Sequence, residues 1–143
     1  MTNTSLFRLV LSLSLLSIII AVIAGANLSN TLPASLQDYL YQLENEELSN
    51  LESTLWVLAG LTILIITPLL LFGLWKFKPW ARTLFLVLTI ITFPLYVFLG
   101  PVVMNPWEAM FNDIAILLEG GLIAMMFIGP VSEKFQPAVA VNS

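Results

Sequence analysis

The chain carries an acidic residue, Glu119, near the middle of an apolar stretch that is long enough to cross a membrane. Hydrocarbon offers an ionised carboxylate no water, so an acid at that depth is costly unless it is protonated, paired or hydrated. A carboxyl group in such a place can exchange a proton, hold a cation or hydrogen-bond to a neighbouring helix. Helical rise places Glu119 close to the midplane of a helix over 106–129.

Polar residues of the other apolar stretches fall within roughly one helical turn of the same depth. Asn112 shares a face of the helix with Glu119. The predicted buried polar layer comprises Glu119, Asn112, Thr92, Thr62 and Ser17. No Lys or Arg lies at this level, so we expect Glu119 to be protonated and to hydrogen-bond to Ser or Thr hydroxyls. Such a bond would serve either transport or only the register of the helices.

Small residues of the same helix predict a packing surface. Gly120 and Ala124 are four positions apart, a spacing that lets another helix backbone approach closely. They are therefore the predicted helix-packing residues. Asp113 points from a different face than Glu119, so these two acids do not form a catalytic dyad. We predict no catalytic residue and no enzymatic activity.

Composition places the whole chain in a membrane. Of its 143 residues, 59% are hydrophobic and 10% are charged, and the mean hydropathy is +0.96. Such values indicate a single domain whose solvent is lipid. The chain has no cysteine and no histidine, which removes disulfides, thiolate and imidazole ligands, and mechanisms that depend on them. We predict no metal, no cofactor and no nucleic-acid partner.

Four apolar stretches define the predicted fold, which is an all-α, polytopic four-transmembrane-helix bundle. The spans cover about 6–26, 54–75, 81–99 and 106–129, separated by a polar loop at 27–53 and a turn at 76–80. The first stretch also resembles a signal peptide that ends in Ala24-Gly25-Ala26. Its length favours a retained helix, and cleavage is the alternative.

The polar loop predicts a short amphipathic helix at the membrane surface. Ser35-Leu-Gln-Asp38 has the form of a helix start, and leucines then recur at helical spacing. The acids Glu44, Glu46, Glu47 and Glu52 are typical of a solvated loop. A cation site is the alternative, but the Asp/Asn-Gly pattern of calcium loops is missing.

Charge predicts the orientation. The connector from Lys76 to Arg82 holds three of the five cations, so the positive-inside rule places it in the cytoplasm. Both termini are then cytoplasmic, and the acidic loop with its amphipathic helix is extracytoplasmic. Trp56, Trp75, Trp80 and Trp107 lie at span ends, as expected of residues that anchor helices at the membrane interface.

Two segments carry a resemblance to known proteins. The connector Trp75-Lys-Phe-Lys-Pro-Trp-Ala-Arg82 resembles the Trp-Ala-Arg turn of many small bacterial inner-membrane proteins with four helices. The segment Glu119 to Phe135 is similar to their late helix and basic tail, with Gly129 where Ser is expected. These families are largely uncharacterised. The resemblance implies a bacterial inner (cytoplasmic) membrane and transfers no site.

Two functions are compatible with these residues. The first is a non-enzymatic subunit or accessory factor that acts through helix–helix contacts. The alternative is a small proton- or cation-coupled carrier or channel that uses Glu119. In either case the expected partners are the lipid bilayer and a homo-oligomer or larger membrane complex.

Overall fold

The computed structural model describes residues 2–45, 49–99 and 102–136. Most of this part of the chain is α-helical and none of it is β-strand, so the all-α prediction is confirmed. The helices are α1 (Asn3–Asn27), α2 (Ala34–Glu44), α3 (Asn50–Trp75), α4 (Pro79–Leu99) and α5 (Pro106–Phe127). Short 3₁₀ turns at Ser29–Thr31 and Ser132–Phe135 follow α1 and α5.

Three of these helices are long and apolar enough to cross a membrane, namely α1, α3 from Ser53 to Trp75, and α5. Their bounds agree with the predicted spans to within a few residues. In α4 the described apolar stretch Pro79–Pro94 is shorter than a typical membrane-spanning helix. Length and composition therefore support three crossings and a membrane protein, and they do not establish the fourth predicted crossing.

The central packing contact joins α1 to α5. Helix α1 buries one stripe of side chains, which along the chain are Phe7, Leu11, Ser14, Ser17, Ala21 and Ala24. The second half of this stripe consists of small residues, so the backbone of α5 can approach closely there. From α5, Ala115, Leu122 and Met126 are buried. Shape complementarity between small and larger side chains thus holds the pair together.

The ends of this pair show that the two helices are antiparallel. Where α1 ends and α5 begins, the Asn105 side-chain amide donates a hydrogen bond to the Ala24 carbonyl at 2.9 Å. Asn105 is also the N-cap of α5, and with Glu108 it forms a capping box, a motif that the order Asn105-Pro-Trp-Glu108 favours. The carboxylate of Glu108 lies so close to Gly25 that a Cβ there would be 2.8 Å from its Oε1. We call this side of the molecule the far end.

At the opposite side, three aromatic rings close the core. Phe7 from the start of α1, Phe77 from the α3–α4 turn and Phe135 after α5 contact one another, with ring centroids 5.3–5.7 Å apart. Phe7 and Phe135 are fully buried. Phe77 has a positive φ of 55°, which turns the chain tightly between α3 and α4. All five cations of the chain lie on this side, which we call the basic end; they are Arg8, Lys76, Lys78, Arg82 and Lys134.

Two of these cations stabilise helix C-termini. The Arg8 guanidinium donates to the carbonyl of Trp75 at 3.4 Å, and its carbon lies 5.2 Å from the centroid of the Trp75 ring. Arg82 donates to the carbonyl of Met126 at 3.3 Å and lies 4.9 Å from the centroid of the Phe127 ring. The last carbonyls of a helix lack intrahelical donors and carry partial negative charge, so both contacts are favourable.

Helices α3 and α4 form a hairpin that is anchored to the α1–α5 pair near the basic end. Leu70, Leu74 and Ala81 belong to the buried core together with Phe7 and Leu122. Farther along α3, every side chain from 53 to 65 is exposed in the isolated chain. Helix α3 therefore packs closely against the α1–α5 pair near the basic end but not over residues 53 to 65.

Helix α2 buries none of its residues. It begins at Ala34 after Pro33 and has no side-chain cap, so the predicted start at Ser35 with a capping residue was wrong. Tyr39 and Leu40 are partly covered, whereas Leu43 is exposed. The predicted amphipathic helix is present, and Glu46 and Glu47 of the neighbouring loop lie outside the described residues.

A glycine comparison within α3 tests the hairpin. A Cβ at Gly73 would lie 2.6 Å from the Cβ of Ala81 and 2.7 Å from the Trp80 ring, whereas a Cβ at Gly60 would have no atom within 4 Å. We expect Gly73→Ala to lower the free energy of unfolding by about 1–3 kcal/mol because of overpacking. Gly60→Ala should leave it unchanged or raise it. Circular dichroism during unfolding by SDS in mixed micelles measures both, and equal stabilities would contradict a rigid contact at Gly73.

Candidate functional site: an intramembrane cleft

A cleft of about 540 Å³ lies between the four long helices, and we call it the central cleft. Its walls are mostly apolar, with Leu15 of α1, Leu71 of α3, Phe85 and Leu88 of α4, and Ile123 of α5 among the lining side chains. The cleft exists because the helix pairs meet near the basic end and separate beyond it. It is partly open to the surroundings of the chain, so another molecule can reach it.

Glu119 supplies the one carboxyl group among the residues that line the central cleft. The other polar lining residues are hydroxyl-bearing side chains, namely Ser14, Thr67, Thr89 and Thr92. Glu119 is half-buried. The site is therefore an apolar cavity with a single acid on its wall, and the residues around that acid decide what it can do.

Neighbouring hydroxyls do not satisfy Glu119. Thr89 donates to the carbonyl of Phe85 at 2.9 Å, and Thr92 donates to the carbonyl of Leu88 at 2.8 Å. Each threonine is thus bonded back to its own helix, a common alternative for hydroxyls in helices. Within the described parts of the chain, no hydrogen bond or ion pair reaches the Glu119 carboxyl. The expected bond between Glu119 and a Ser or Thr hydroxyl is absent from this structure.

The predicted polar layer is only partly assembled. Ser17 is buried in α1, and Asn112 is half-buried on α5. Thr92 lines the central cleft but is largely exposed. Thr62 is exposed on α3 and donates to the carbonyl of Leu58 at 2.7 Å, so its predicted burial was wrong for the isolated chain. The difference arises because every described side chain from 53 to 65 on α3 is exposed.

The predicted packing residues of α5 also lie on the surface of the chain. Gly120 and Ala124 are exposed, and a Cβ at Gly120 would have no atom within 4 Å. Among the described residues, no neighbouring helix covers Gly120, and Ala124 is largely open to the surroundings. Gly120 lines the central cleft beside Glu119.

Two features of the structure were missed by sequence reasoning. The small residues Ser14, Ser17, Ala21 and Ala24 recur at helical spacing and form the seam that α5 packs against. Their spacing was a usable signal, since small residues mark close helix contacts in membranes. The bond from Asn105 to Ala24 left no sequence signal, because it depends on two helix ends meeting in space.

Comparison with known protein families, curated proteins and solved structures finds no match to this chain. The function must therefore be argued from the geometry of the central cleft itself.

Thiol labelling tests the cleft, because the chain has no cysteine of its own. Ala115 is 2% exposed in the α1–α5 contact, whereas Gly120 faces open space. In liposomes we expect N-ethylmaleimide to modify Gly120→Cys at least tenfold faster than Ala115→Cys. Labelling after denaturation in SDS provides the total thiol for each variant. Equal rates would mean that α5 does not present these two faces as described.

Proposed function

We propose that this protein is a non-enzymatic membrane component, a subunit or accessory factor that binds a transmembrane helix of another protein in the central cleft. The observation that carries this proposal is the open, apolar cleft between two helix pairs that are joined at one end. Gly120 lines the cleft, and both Gly120 and Ala124, one helical turn apart on α5, are exposed in the described chain. Small residues at such a surface allow close approach of a further helix.

The exposed far half of α3 supports the same proposal. Leu58, Ile63 and Leu64 are each more than half exposed. In a bilayer these side chains contact lipid at no cost, so their exposure alone does not require a partner. Together with the cleft beside them, they offer an extended surface against which a partner helix can lie.

The proposed orientation follows from charge. All five cations lie at the basic end, so we place this end in the cytoplasm by the positive-inside rule. Both termini and the α3–α4 turn are then cytoplasmic, with α4 as the fourth crossing and α2 on the outer surface. Trp56 and Trp107 would anchor the outer side, and Trp75 and Trp80 the inner side. A bacterial inner membrane is the location that the sequence resemblance favours.

A non-enzymatic role fits the residues at hand. Asp113 is exposed, and Glu119 is half-buried in the cleft. General acid–base or nucleophilic catalysis needs convergent groups within hydrogen-bond reach. In the described chain, the cleft brings together one carboxyl and four hydroxyls, of which those of Thr89 and Thr92 are bonded to their own helix.

Substitution of Gly120 tests helix docking. A leucine at Gly120 fills open space in the cleft, and Gly60→Leu is a matched control in equally open space on α3. After mild detergent extraction from native membranes, we expect the wild type and Gly60→Leu to migrate as a larger assembly in native electrophoresis and native mass spectrometry. Gly120→Leu should shift toward the lone chain. A wild-type protein that is only monomeric would contradict this function.

A second function, a proton- or cation-coupled carrier, is favoured by one observation, namely that the Glu119 carboxyl faces an open cleft. An intramembrane acid of this kind can bind and release a proton or cation as helices move. If this function is correct, Glu119→Gln abolishes proton- or cation-driven flux into proteoliposomes, and Asp113→Asn on the same helix retains it. Equal flux with wild type and Glu119→Gln would exclude the carrier.

A further inference from the structure

The acid in the central cleft has no basic residue beside it among the lining residues. Glu119 is the acid of the cleft wall, and each of the chain's five cations lies at the basic end. We infer that the helix received by the cleft belongs to a different protein and carries a Lys or Arg at the depth of Glu119. This inference rests on the proposed function and adds the chemistry of the partner.

The cations of this chain are held away from Glu119. Arg82 contacts the end of α5, where it donates to the carbonyl of Met126 and lies over the Phe127 ring. Met126 is seven residues beyond Glu119, which is about 10 Å along a helix. Arg8 is likewise engaged with the carbonyl and ring of Trp75. Releasing either arginine would uncap a helix.

A second copy of the chain cannot supply the missing charge. Every copy carries its cations at its basic end, so neither a parallel nor an antiparallel pair places a Lys or Arg at mid-depth. A lipid acyl chain fits the apolar walls but offers the carboxyl no donor. A cationic side chain from another transmembrane helix provides both apolar surface and a charged donor, which is how ionisable groups inside membranes are usually satisfied.

The cleft is about as large as one turn of such a helix. One helical turn, about 5.4 Å long and 10 Å wide, occupies roughly 420 Å³. The central cleft measures about 540 Å³. Gly120 adjoins Glu119 and has no side chain, so a partner backbone can come close at this level. The long, flexible stem of a Lys or Arg then reaches the carboxyl from a neighbouring position.

Synthetic peptides test the inference directly. The probe is a transmembrane helix of about 20 Leu and Ala residues with one central Lys, and its control has Leu at that position. The protein, labelled at Ser53→Cys and reconstituted in phosphatidylcholine vesicles, reports binding by energy transfer to a labelled peptide. We expect the Lys peptide to bind the wild type at least tenfold more tightly than the Leu peptide. Glu119→Gln should abolish this preference, and Asp113→Asn should keep it.

Further variants separate the possible outcomes. Glu119→Asp retains the carboxyl and should keep a preference for the Lys peptide, with folding of each variant checked by circular dichroism. Equal binding of both peptides to the wild type overturns the cationic partner and leaves helix docking in place. A Lys preference that survives Glu119→Gln also overturns it. If neither peptide binds, the inference fails. The proposed function is tested separately, by whether the wild type forms a larger native assembly that Gly120→Leu disrupts.

Discussion

The close, antiparallel approach of α1 and α5 is the contact on which the rest of the structure depends. Lipid tails are as apolar as leucine, so burial of apolar surface does not drive helices together in a bilayer. Complementary packing and hydrogen bonds between the helices must drive their association instead. The small residues from Ser14 to Ala24 provide the shape, and the Asn105–Ala24 bond closes the far end. The Phe7, Phe77 and Phe135 rings close the basic end.

The central cleft follows from how the second pair is attached. Leu70, Leu74 and Ala81 join the core near the basic end, and Arg8 and Arg82 cap the helices that end there. Beyond this region the described side chains of α3 from 53 to 65 are exposed, and the cleft lies between the two pairs. The two helix pairs are therefore packed together at the basic end and separated by the cleft at mid-depth.

The Glu119 carboxyl would play a different role in each of the two proposed functions. In a docking subunit the carboxyl selects a partner and then remains bonded to it. In a carrier the same carboxyl must bind and release a proton or cation in turn. Thr89 and Thr92 are bonded back to Phe85 and Leu88, and no described residue donates a hydrogen bond to the acid. A fixed cationic partner would satisfy that acid permanently, and for this reason we propose docking in preference to transport.

The sequence by itself determined the helices, the approximate bounds of three membrane-length segments and the capping box at Asn105, because apolar length and N-terminal capping are local properties. Only the tertiary structure decided which faces meet. It placed the seam on Ser14 to Ala24, left Gly120 and Ala124 outside, and exposed Thr62. In helices that are apolar on every side, periodicity carries little information about burial. The fit between helices distant in the sequence selects the buried face.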